Sequence, residues 1–312
     1  MTKFLLGRIA QGIGVVWGVV TIVFLITRVL GDPARVQLPI TATEEQRAAF
    51  NHQHGYDQPI LLQYVGYLGD LLRGDFGTST LSGEPAMGVA LSRLPNTLIL
   101  IAVAMLIAVV VGVLLGCLSA ARPGSHIDRF AQFVAVATVS SPQFWVGLML
   151  AMVFGVFLGI LPVAGTGGLR YVILPAIAVA FPIIGRIVVM MRTAMLEELA
   201  QPYVLAAESR GVPRMQQVFV HALRNGLLPV ISFIGWEFAM GIAGYATSVE
   251  VVFNWAGLGR LALESLTSLD FAVVQAIVIL ASMFVVFAGI IIDLLNFLID
   301  PKLRVSKEVA RA

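Results

Sequence analysis

The sequence has few charged side chains and a single cysteine. Only 12% of its 312 residues are charged and 58% are hydrophobic, and the mean hydropathy is +0.91. A soluble domain of this length has no core large enough for so much apolar surface, so the composition indicates a membrane protein. Cys117 lies in an apolar run and has no second cysteine with which to form an intrachain disulfide. The net charge of +2 is too small to predict nucleic acid as a partner.

Phosphate-binding and catalytic motifs are also missing. None of the three lysines, Lys3, Lys302 and Lys307, follows a glycine. The sequence therefore has no P-loop, and it contains no HExxH, CxxC or GxSxG motif. His52 and His54 fit either a metal-binding loop or, more simply, two solvated histidines. We expect no enzyme, no bound cofactor, and no catalytic or metal-binding residue in this chain.

Long uncharged runs are the main positive feature of the sequence. Spanning the hydrocarbon layer takes about 20 apolar residues, and the runs predict six transmembrane helices at roughly 9–30, 97–121, 131–160, 172–194, 227–249 and 272–298. The first run follows two basic residues as a signal peptide would. Its length and the lack of a small-residue cleavage site favour a retained helix. The predicted fold is an all-α integral membrane protein.

Lysine and arginine are distributed unevenly between the two sides of the predicted bundle. With the N-terminus inside, the short outer segments carry only Arg170 and Arg260. The inner segments carry Lys3, Arg8, Arg122, Arg129, Arg192, Arg210, Arg214, Arg224, Lys302, Arg304, Lys307 and Arg311. The positive-inside rule, which disregards long loops, therefore predicts that both termini are cytosolic.

The predicted spans divide the chain into four parts. Residues 1–30 hold the N-terminal tail and helix 1, 31–96 an extracytoplasmic segment, 97–298 the core with helices 2–6, and 299–312 a cytosolic tail. The outer segment is predicted to contain a helix against the membrane surface. That prediction rests on the helical spacing of Ile60, Leu61, Tyr64, Val65, Leu68, Leu71 and Leu72.

The inner side has one long polar interruption, residues 195–226, which we call the charged segment. Its stretch "PYVLAAESRG" begins with Pro202, a proline suited to a first helical turn. It ends at Gly211, and Pro213 comes two residues later. This pattern predicts a short helix from about Tyr203 to Arg210. The apolar side of that helix is expected to be formed by Tyr203, Val204, Ala206 and Ala207. From the pattern alone, a contact with a cytosolic protein and a solvated connector remain equally open.

The spacing Ala206-Ala207-x3-Gly211 resembles the EAA loop of ABC importer permeases, in which a short coupling helix seats in a groove on the ATPase. The following "HALRNGLLPV" is similar to the peptide-importer branch. Leu205 replaces the Glu of the general motif and Pro229 falls later than its Pro, as in the peptide and nickel branch. Five further stretches resemble the first permease subunit of dipeptide and oligopeptide importers, namely "GYDQPILLQYVGYLGDLLRGDFGTSTLSGEP", "RLPNTLIL", "SSPQFWVGLML", "FNWAGLGRLALESLTSLDFAVVQA" and "LIDPKLR". Together the motifs cover nearly the whole chain.

The resemblance implies a type I ABC importer permease fold, with a long extracytoplasmic segment after helix 1 and a cytosolic coupling helix between helices 4 and 5. It implies an ATPase contact at Tyr203, Ala206, Ala207, Glu208, Arg210, Gly211, Arg214, His221, Arg224 and Asn225. It also implies an outer gating loop on the binding-protein side, with Gly257 and Gly259 making a tight turn beside Asn254 and Trp255.

The resemblance also predicts partners and a location. The expected partners are a second homologous permease subunit, two ATPase subunits that bind ATP and Mg, an extracytoplasmic solute-binding protein, and membrane lipid. The expected location is the bacterial cytoplasmic (inner) membrane. Di- or oligopeptides are the expected cargo, with nickel chelates, glutathione and oligosaccharides as alternatives.

Two residues in the predicted spans bear on the transport path. Glu237 lies about 18 Å along the fifth helix from Asn225, where a charge costs about 2.5–3.5 kcal/mol. It either lines the path or has a structural partner, which is Arg186 on the fourth helix or a hydrogen-bonding group on a neighbouring helix. Pro142 is expected to kink the third helix near the path. An ion-coupled transporter with Glu237 or Asp293 as proton relay is the alternative, but the sequence shows no matching halves.

Overall fold

The computed structural model describes residues 2–30, 38, 41–53 and 55–299 of the chain. Its helices are α1 (Thr2–Leu30), α2 (Glu44–Gln53), α3 (Ile60–Leu72), α4 (Ala86–Ala121), α5 (His126–Ser140), α6 (Gln143–Leu150), α7 (Leu169–Leu199), α8 (Pro202–Ser209), α9 (Arg214–Gln216), α10 (Leu223–Met240), α11 (Thr247–Val252), α12 (Leu258–Thr267) and α13 (Phe271–Ile299). Turns of π-helix cover Ala151–Phe157, Gln217–Ala222 and Gly241–Tyr245. His54 and the predicted tail from residue 300 onward lie outside the described residues.

The described residues form an all-helical protein with five or six membrane spans. Five continuous stretches are long and apolar enough to cross a bilayer, namely Leu6–Arg28, Ala86–Ala121, Leu169–Leu199, Arg214–Tyr245 and Phe271–Leu294. The bent pair His126–Ser140 and Gln143–Phe157 makes a sixth if it is one span. The predicted fold class is confirmed.

The bend at Pro142 is larger than the predicted kink. Helix α5 ends at Ser140, α6 begins at Gln143, and the two axes differ by 102°. Ser141 is extended with φ −94° and ψ 125°, because the ring of a following proline disfavours the helical conformation. The single helix expected over 131–160 is therefore a broken pair, with Pro142 at the break.

Several helices extend beyond their predicted limits. Helix α4 begins at Ala86 instead of residue 97, and the fifth span begins at Arg214 instead of residue 227. The prediction followed intervals without charge, which locate the part of a helix that lies in hydrocarbon. Backbone hydrogen bonding continues into polar surroundings, where side-chain charge costs little, so the helices are longer than the uncharged runs.

The chain divides into two compact units. The first comprises Met1–Pro95 and Gly257–Phe287. Within it, the ring of Phe24 on α1 packs against Tyr64 and Tyr67 of α3, and the Tyr64 hydroxyl lies 2.6 Å from the Thr21 hydroxyl. The Gln275 amide of α13 donates to Thr27 at 2.9 Å. Helix α3 is therefore attached to the first span by specific side-chain contacts.

Helix α3 confirms that the outer segment is structured and leaves apolar side chains uncovered. Leu61 is 74% exposed and Val65 is 65% exposed in the described structure. Two exposed apolar side chains on one short amphipathic helix fit a position in the membrane interface. The location of α3 against the outer membrane surface stays a prediction.

The second unit comprises Asn96–Ala256 and Ala288–Ala312, and α7 lies at its centre. Helices α5, α6 and α10 all pack against α7. Its most apolar stretch is 72% buried, against 17–33% in the other four continuous spans. A Cβ atom at Gly112 or Gly116 of α4 would come within 2.7 Å of Ile187 or 2.6 Å of Met191. Small residues thus allow α4 to approach α7 closely, and the polar side chains of α7 lie within protein.

Candidate functional site

The short helix of the charged segment is α8, Pro202–Ser209, and its end is fixed by a Schellman motif. The Gly211 N–H donates to the Glu208 carbonyl at 2.8 Å and the Val212 N–H donates to the Ala207 carbonyl at 3.2 Å. Gly211 has φ +79°, a left-handed conformation that glycine adopts without steric cost. The predicted helix and its stop at Gly211 are confirmed.

Two side chains of α8 are fully buried against the rest of the protein. Val204 and Ala207 have no exposed surface, whereas Tyr203 is 40% and Leu205 48% exposed, and Ala206 is exposed as well. The expected apolar side, which included Tyr203 and Ala206, was therefore wrong in part. The spacing of three residues between Val204 and Ala207 places one narrow stripe inward, and the remaining faces are accessible. Glu208 on this helix and Arg210, which follows its last residue, are further exposed side chains of the predicted contact.

The hydroxyl of Tyr203 connects three elements. It donates to the Glu198 carboxylate at the end of α7 at 2.6 Å and accepts from the Asn225 amide of α10 at 3.1 Å. Burial raises the pKa of the Tyr203 phenol, and the hydrogen bond to Glu198 adds to the effect. The hydroxyl therefore stays protonated at neutral pH and remains a donor. Two predicted contact residues, Tyr203 and Asn225, lie together and hold α8 between two spans.

The second half of the charged segment is attached to the end of α4. The Arg214 Nε donates to the Ala121 carbonyl at 3.1 Å, and its Nη1 donates to the Gln217 amide oxygen at 3.2 Å. His221 Nδ1 lies 3.2 Å from the Gln216 carbonyl, and Arg224 is exposed. His221 thus contacts its own segment, and Arg214 links the segment to the span α4.

A second cluster, which sequence reasoning missed, surrounds the Asp128 carboxylate. Arg192 of α7 contacts both oxygens, from Nε at 2.8 Å and from Nη2 at 3.1 Å. Ser119 donates at 2.5 Å, the Gly124 N–H at 2.8 Å and Gln132 at 2.9 Å. Five donated hydrogen bonds satisfy a carboxylate that is only 2% exposed. The cluster joins α4, α5 and α7 at the end of α7 from which the charged segment continues.

The sequence does carry a signal for this cluster. Ser125 is the N-cap of α5 and its side chain accepts from the Asp128 N–H, so Ser125-x-x-Asp128 is a helix-start pattern. A carboxylate in a first helical turn is ordinarily solvated. Nothing in the linear sequence shows that Arg192, 64 positions later, meets it.

Glu237 pairs with Arg186, one of the two interpretations left open by the sequence. The Arg186 Nη1 lies 2.9 Å from Glu237 Oε1, and the Glu237 side chain is 3% exposed. The Arg186 Nη2 donates to the Tyr245 hydroxyl at 3.0 Å. Arg186 itself is 35% exposed, because it lines a cavity of about 630 Å³ between α5, α7 and α10. The buried carboxylate is thus neutralised within the protein, and the cation is the partner with free surface.

The predicted outer turn is made by Asn254 rather than by glycine. Asn254 has φ +51°, whereas Gly257 has φ −100° and is the N-cap of α12, in which Gly259 is an ordinary helical residue. Asparagine is among the residues that adopt the left-handed conformation most readily, so the expected glycine turn was wrong. The Trp255 indole donates to the Asn96 carbonyl at 3.0 Å, and the Asn96 amide donates to the Ala256 carbonyl at 2.8 Å. The turn is therefore fixed to the start of the second span.

Within the described residues, no group of three or more His, Cys, Asp or Glu side chains is placed to hold a metal ion. His52 is exposed on α2, and His54 is outside the described part. Pro142 is exposed at the break between α5 and α6. The clusters around Asp128 and Arg186 are instead contacts between helices.

Comparison with known proteins decides the family. Residues 112–305 match the model of the binding-protein-dependent transport system inner membrane component. The chain belongs to this family of ABC importer permeases. It is 33% identical to the oligopeptide transport system permease protein AppB of Bacillus subtilis, over 97% of this chain and 99% of the relative. The same identity and coverage hold for the di/tripeptide transport system permease protein DppB of Pseudomonas aeruginosa and the glutathione transport system permease protein GsiC of Salmonella typhimurium.

Membership explains the absence of catalytic clusters in the sequence. The protein is a multi-pass permease subunit of an ABC importer and works with other subunits of that transporter. In this family the permease is not the catalytic subunit. The resemblance to peptide-importer permeases stated from the sequence is confirmed.

Proposed function

We propose that the permease imports di- or oligopeptides that an extracytoplasmic solute-binding protein delivers. Relatives of matching length are named for oligopeptide, di/tripeptide and glutathione transport, and these names support a peptide-like cargo. Nickel chelates and oligosaccharides are the alternatives. The expected complex contains this chain, a second homologous permease and two ATPase subunits. ATP and Mg belong to the ATPases, since the sequence of this chain has no P-loop.

The observation that carries the proposal is the two-faced helix α8. Its buried stripe and the Tyr203 hydrogen bonds attach it to α7 and α10, while Leu205, Ala206 and Arg210 are accessible. A helix that is held firmly on one side and exposed on the other can transmit a push from an ATPase to two spans. Arg214, His221 and Arg224 extend this contact along the charged segment, and Arg214 would pass motion to α4.

The proposed topology places the charged segment and both termini in the cytosol, in the bacterial inner membrane. The excess of arginine and lysine on that side supports it. The turn at Asn254 and Trp255, followed by Gly257 and Gly259, then lies outside and faces the binding protein. Pro142 and Glu237 belong to the translocation path in this proposal, Glu237 through its pair with Arg186.

The structure suggests a sharp test of the ATPase contact. Substitutions at Ala207 or Gly211 would damage the helix itself, because Ala207 is fully buried and Gly211 is left-handed. Leu205→Lys changes only an exposed position on α8 and introduces a charge opposite to that of the Glu that the general motif carries there. We expect it to abolish ATPase copurification and binding-protein-stimulated ATP hydrolysis while the permease still inserts.

Leu81→Lys is the matched control, because Leu81 is 71% exposed and belongs to the predicted outer segment. It should copurify with the ATPase as the wild type does. If Leu205→Lys retains full ATPase association and stimulation, α8 is not the contact. If the wild-type chain never associates with an ATPase and transports solute alone, the proposed mechanism fails altogether.

A further inference from the structure

The cavity beside Arg186 has an unusual distribution of charge. Arg186, Val189, Met190, Thr193 and Glu197 line it. The spacing between them (three, one, three and four residues) forms one stripe of helix α7. The stripe starts with a cation and ends with an anion, and only uncharged side chains lie between them.

The dimensions of the cavity suit a small peptide. Its volume is about 630 Å³, within the range of about 300–1,000 Å³ typical of small-molecule sites. Eleven residues separate Arg186 from Glu197, a rise of about 16 Å along the helix. An extended chain covers about 3.4 Å per residue, so a peptide needs about five residues to reach from one end of the stripe to the other, and shorter peptides reach one charged end together with the apolar wall.

Arg186 has donor capacity that the protein does not use. A guanidinium carries five N–H groups. One terminal nitrogen bonds Glu237 and the other bonds Tyr245, so each of them keeps a second N–H, while Nε is buried and has no hydrogen-bond partner among the described residues. Glu237 is 3% and Arg186 35% exposed, so the carboxylate holds the guanidinium from the protein side and leaves its other side to the cavity.

We propose that this cavity is a cargo subsite in which Arg186 binds the C-terminal carboxylate of the transported peptide. The apolar wall, which includes Phe233 of α10, accepts peptide side chains, and Glu197 supplies a negative charge for the ammonium end. Glu237 lowers the attraction so that the cargo can leave again. This inference rests on the proposed peptide function and adds a specificity-determining residue to it.

The test compares uptake of one short peptide as the free acid and as its C-terminal amide. The reconstituted transporter with one binding protein is used throughout, so any preference of the binding protein is the same in every variant. Arg186→Gln combined with Glu237→Gln removes both charges together and leaves two amides in place of the ion pair. We expect this double variant to lower the acid-to-amide uptake ratio by at least about tenfold relative to wild type.

Glu237→Gln alone is the matched variant with the opposite expected sign. It keeps Arg186 and removes the competing carboxylate, so the acid-to-amide ratio should rise several-fold. If the double variant does not insert, this rise decides the question. Arg186→Lys, which keeps the charge but loses the planar fork, should give an intermediate ratio.

An unchanged ratio in the variants that insert would overturn the proposal. That outcome is expected if a lipid chain or the second permease fills the cavity instead of cargo. Failure of the underlying peptide function is distinguishable, because the wild-type transporter would then import neither form of the peptide.

Discussion

Two ion pairs on helix α7 differ in almost every respect. Arg192 and Asp128 form a two-pronged pair, and three further donors complete the hydrogen bonding of the carboxylate. Arg186 and Glu237 share one contact of 2.9 Å, and the arginine is 35% exposed to a cavity. The two arginines are only six residues apart. One helix therefore carries a fully satisfied pair and a pair with an open side.

The difference indicates that one ion pair is structural and that the other can bind a ligand. A buried carboxylate with five donors is costly to disturb, since every donor loses its acceptor when the carboxylate changes. Such a cluster keeps α4, α5 and α7 together where the charged segment begins. A guanidinium with unused donors beside a cavity can exchange partners at small cost. The first pair suits a rigid attachment between helices, and the second suits contact with a transiently bound ligand.

Breaking the satisfied pair should have the largest effect. Asp128→Asn keeps the size of the side chain but leaves Arg192 without its counter-charge. It also replaces one carboxylate oxygen by an amide NH₂ group, which faces donors such as Ser119 and Gly124. We expect a loss of about 3 kcal/mol in the free energy of unfolding. Denaturant unfolding of the purified permease in detergent measures it.

Arg129→Gln is the control for this change, because Arg129 is exposed one residue away on the same helix. It should alter the free energy of unfolding by less than about 0.5 kcal/mol. The interpretation of Asp128 as the centre of a rigid attachment is wrong if Asp128→Asn is as mild as this control.

Breaking the open pair should cost less. Glu237→Gln retains a hydrogen-bond acceptor for Arg186, and the guanidinium remains partly exposed at the cavity. The expected loss is about 1 kcal/mol in the same unfolding measurement. A loss equal to that of Asp128→Asn would mean that the two pairs are equally structural, and the contrast between them would disappear.

Much of this molecule follows from its sequence. Six long apolar runs, two of them interrupted by a single charge, predicted the spans, "PYVLAAESRG" predicted α8 and its end at Gly211, and the EAA-like spacing led to the family. These features are local, since a run of apolar residues or a proline–glycine pair acts on its immediate surroundings. Pro142 is a partial case: its effect on the chain was expected, and the 102° size of the bend was not.

The parts that could not be predicted depend on contacts between distant residues. Asp128 meets Arg192 across 64 positions and Arg186 meets Tyr245 across 59. No periodicity in a linear sequence encodes such pairs. Only the pair of Arg186 with Glu237 was among the expected alternatives, because a charge in hydrocarbon must find a partner and few charges were available there. The turn at Asn254 was missed because two glycines nearby offered a simpler explanation.

The smallest expected effect is that of Tyr203→Phe, which tests a third kind of attachment at the surface. The phenylalanine keeps the ring but removes the hydroxyl that joins Glu198 and Asn225. The loss in unfolding free energy should be about 0.5–1 kcal/mol, below the loss at Glu237.

The difference in unfolding free energy between wild type and Tyr203→Phe should also depend on pH in one direction only. Because burial and Glu198 raise the folded-state pKa of the phenol, the contribution is complete below the unfolded value of about 10 and is lost as the pH rises through the folded value. Unfolding measured from pH 7 to pH 11 should therefore show a constant difference that shrinks only at the alkaline end, and a difference that already changes between pH 7 and 9 would contradict the assignment of the hydroxyl as donor to Glu198.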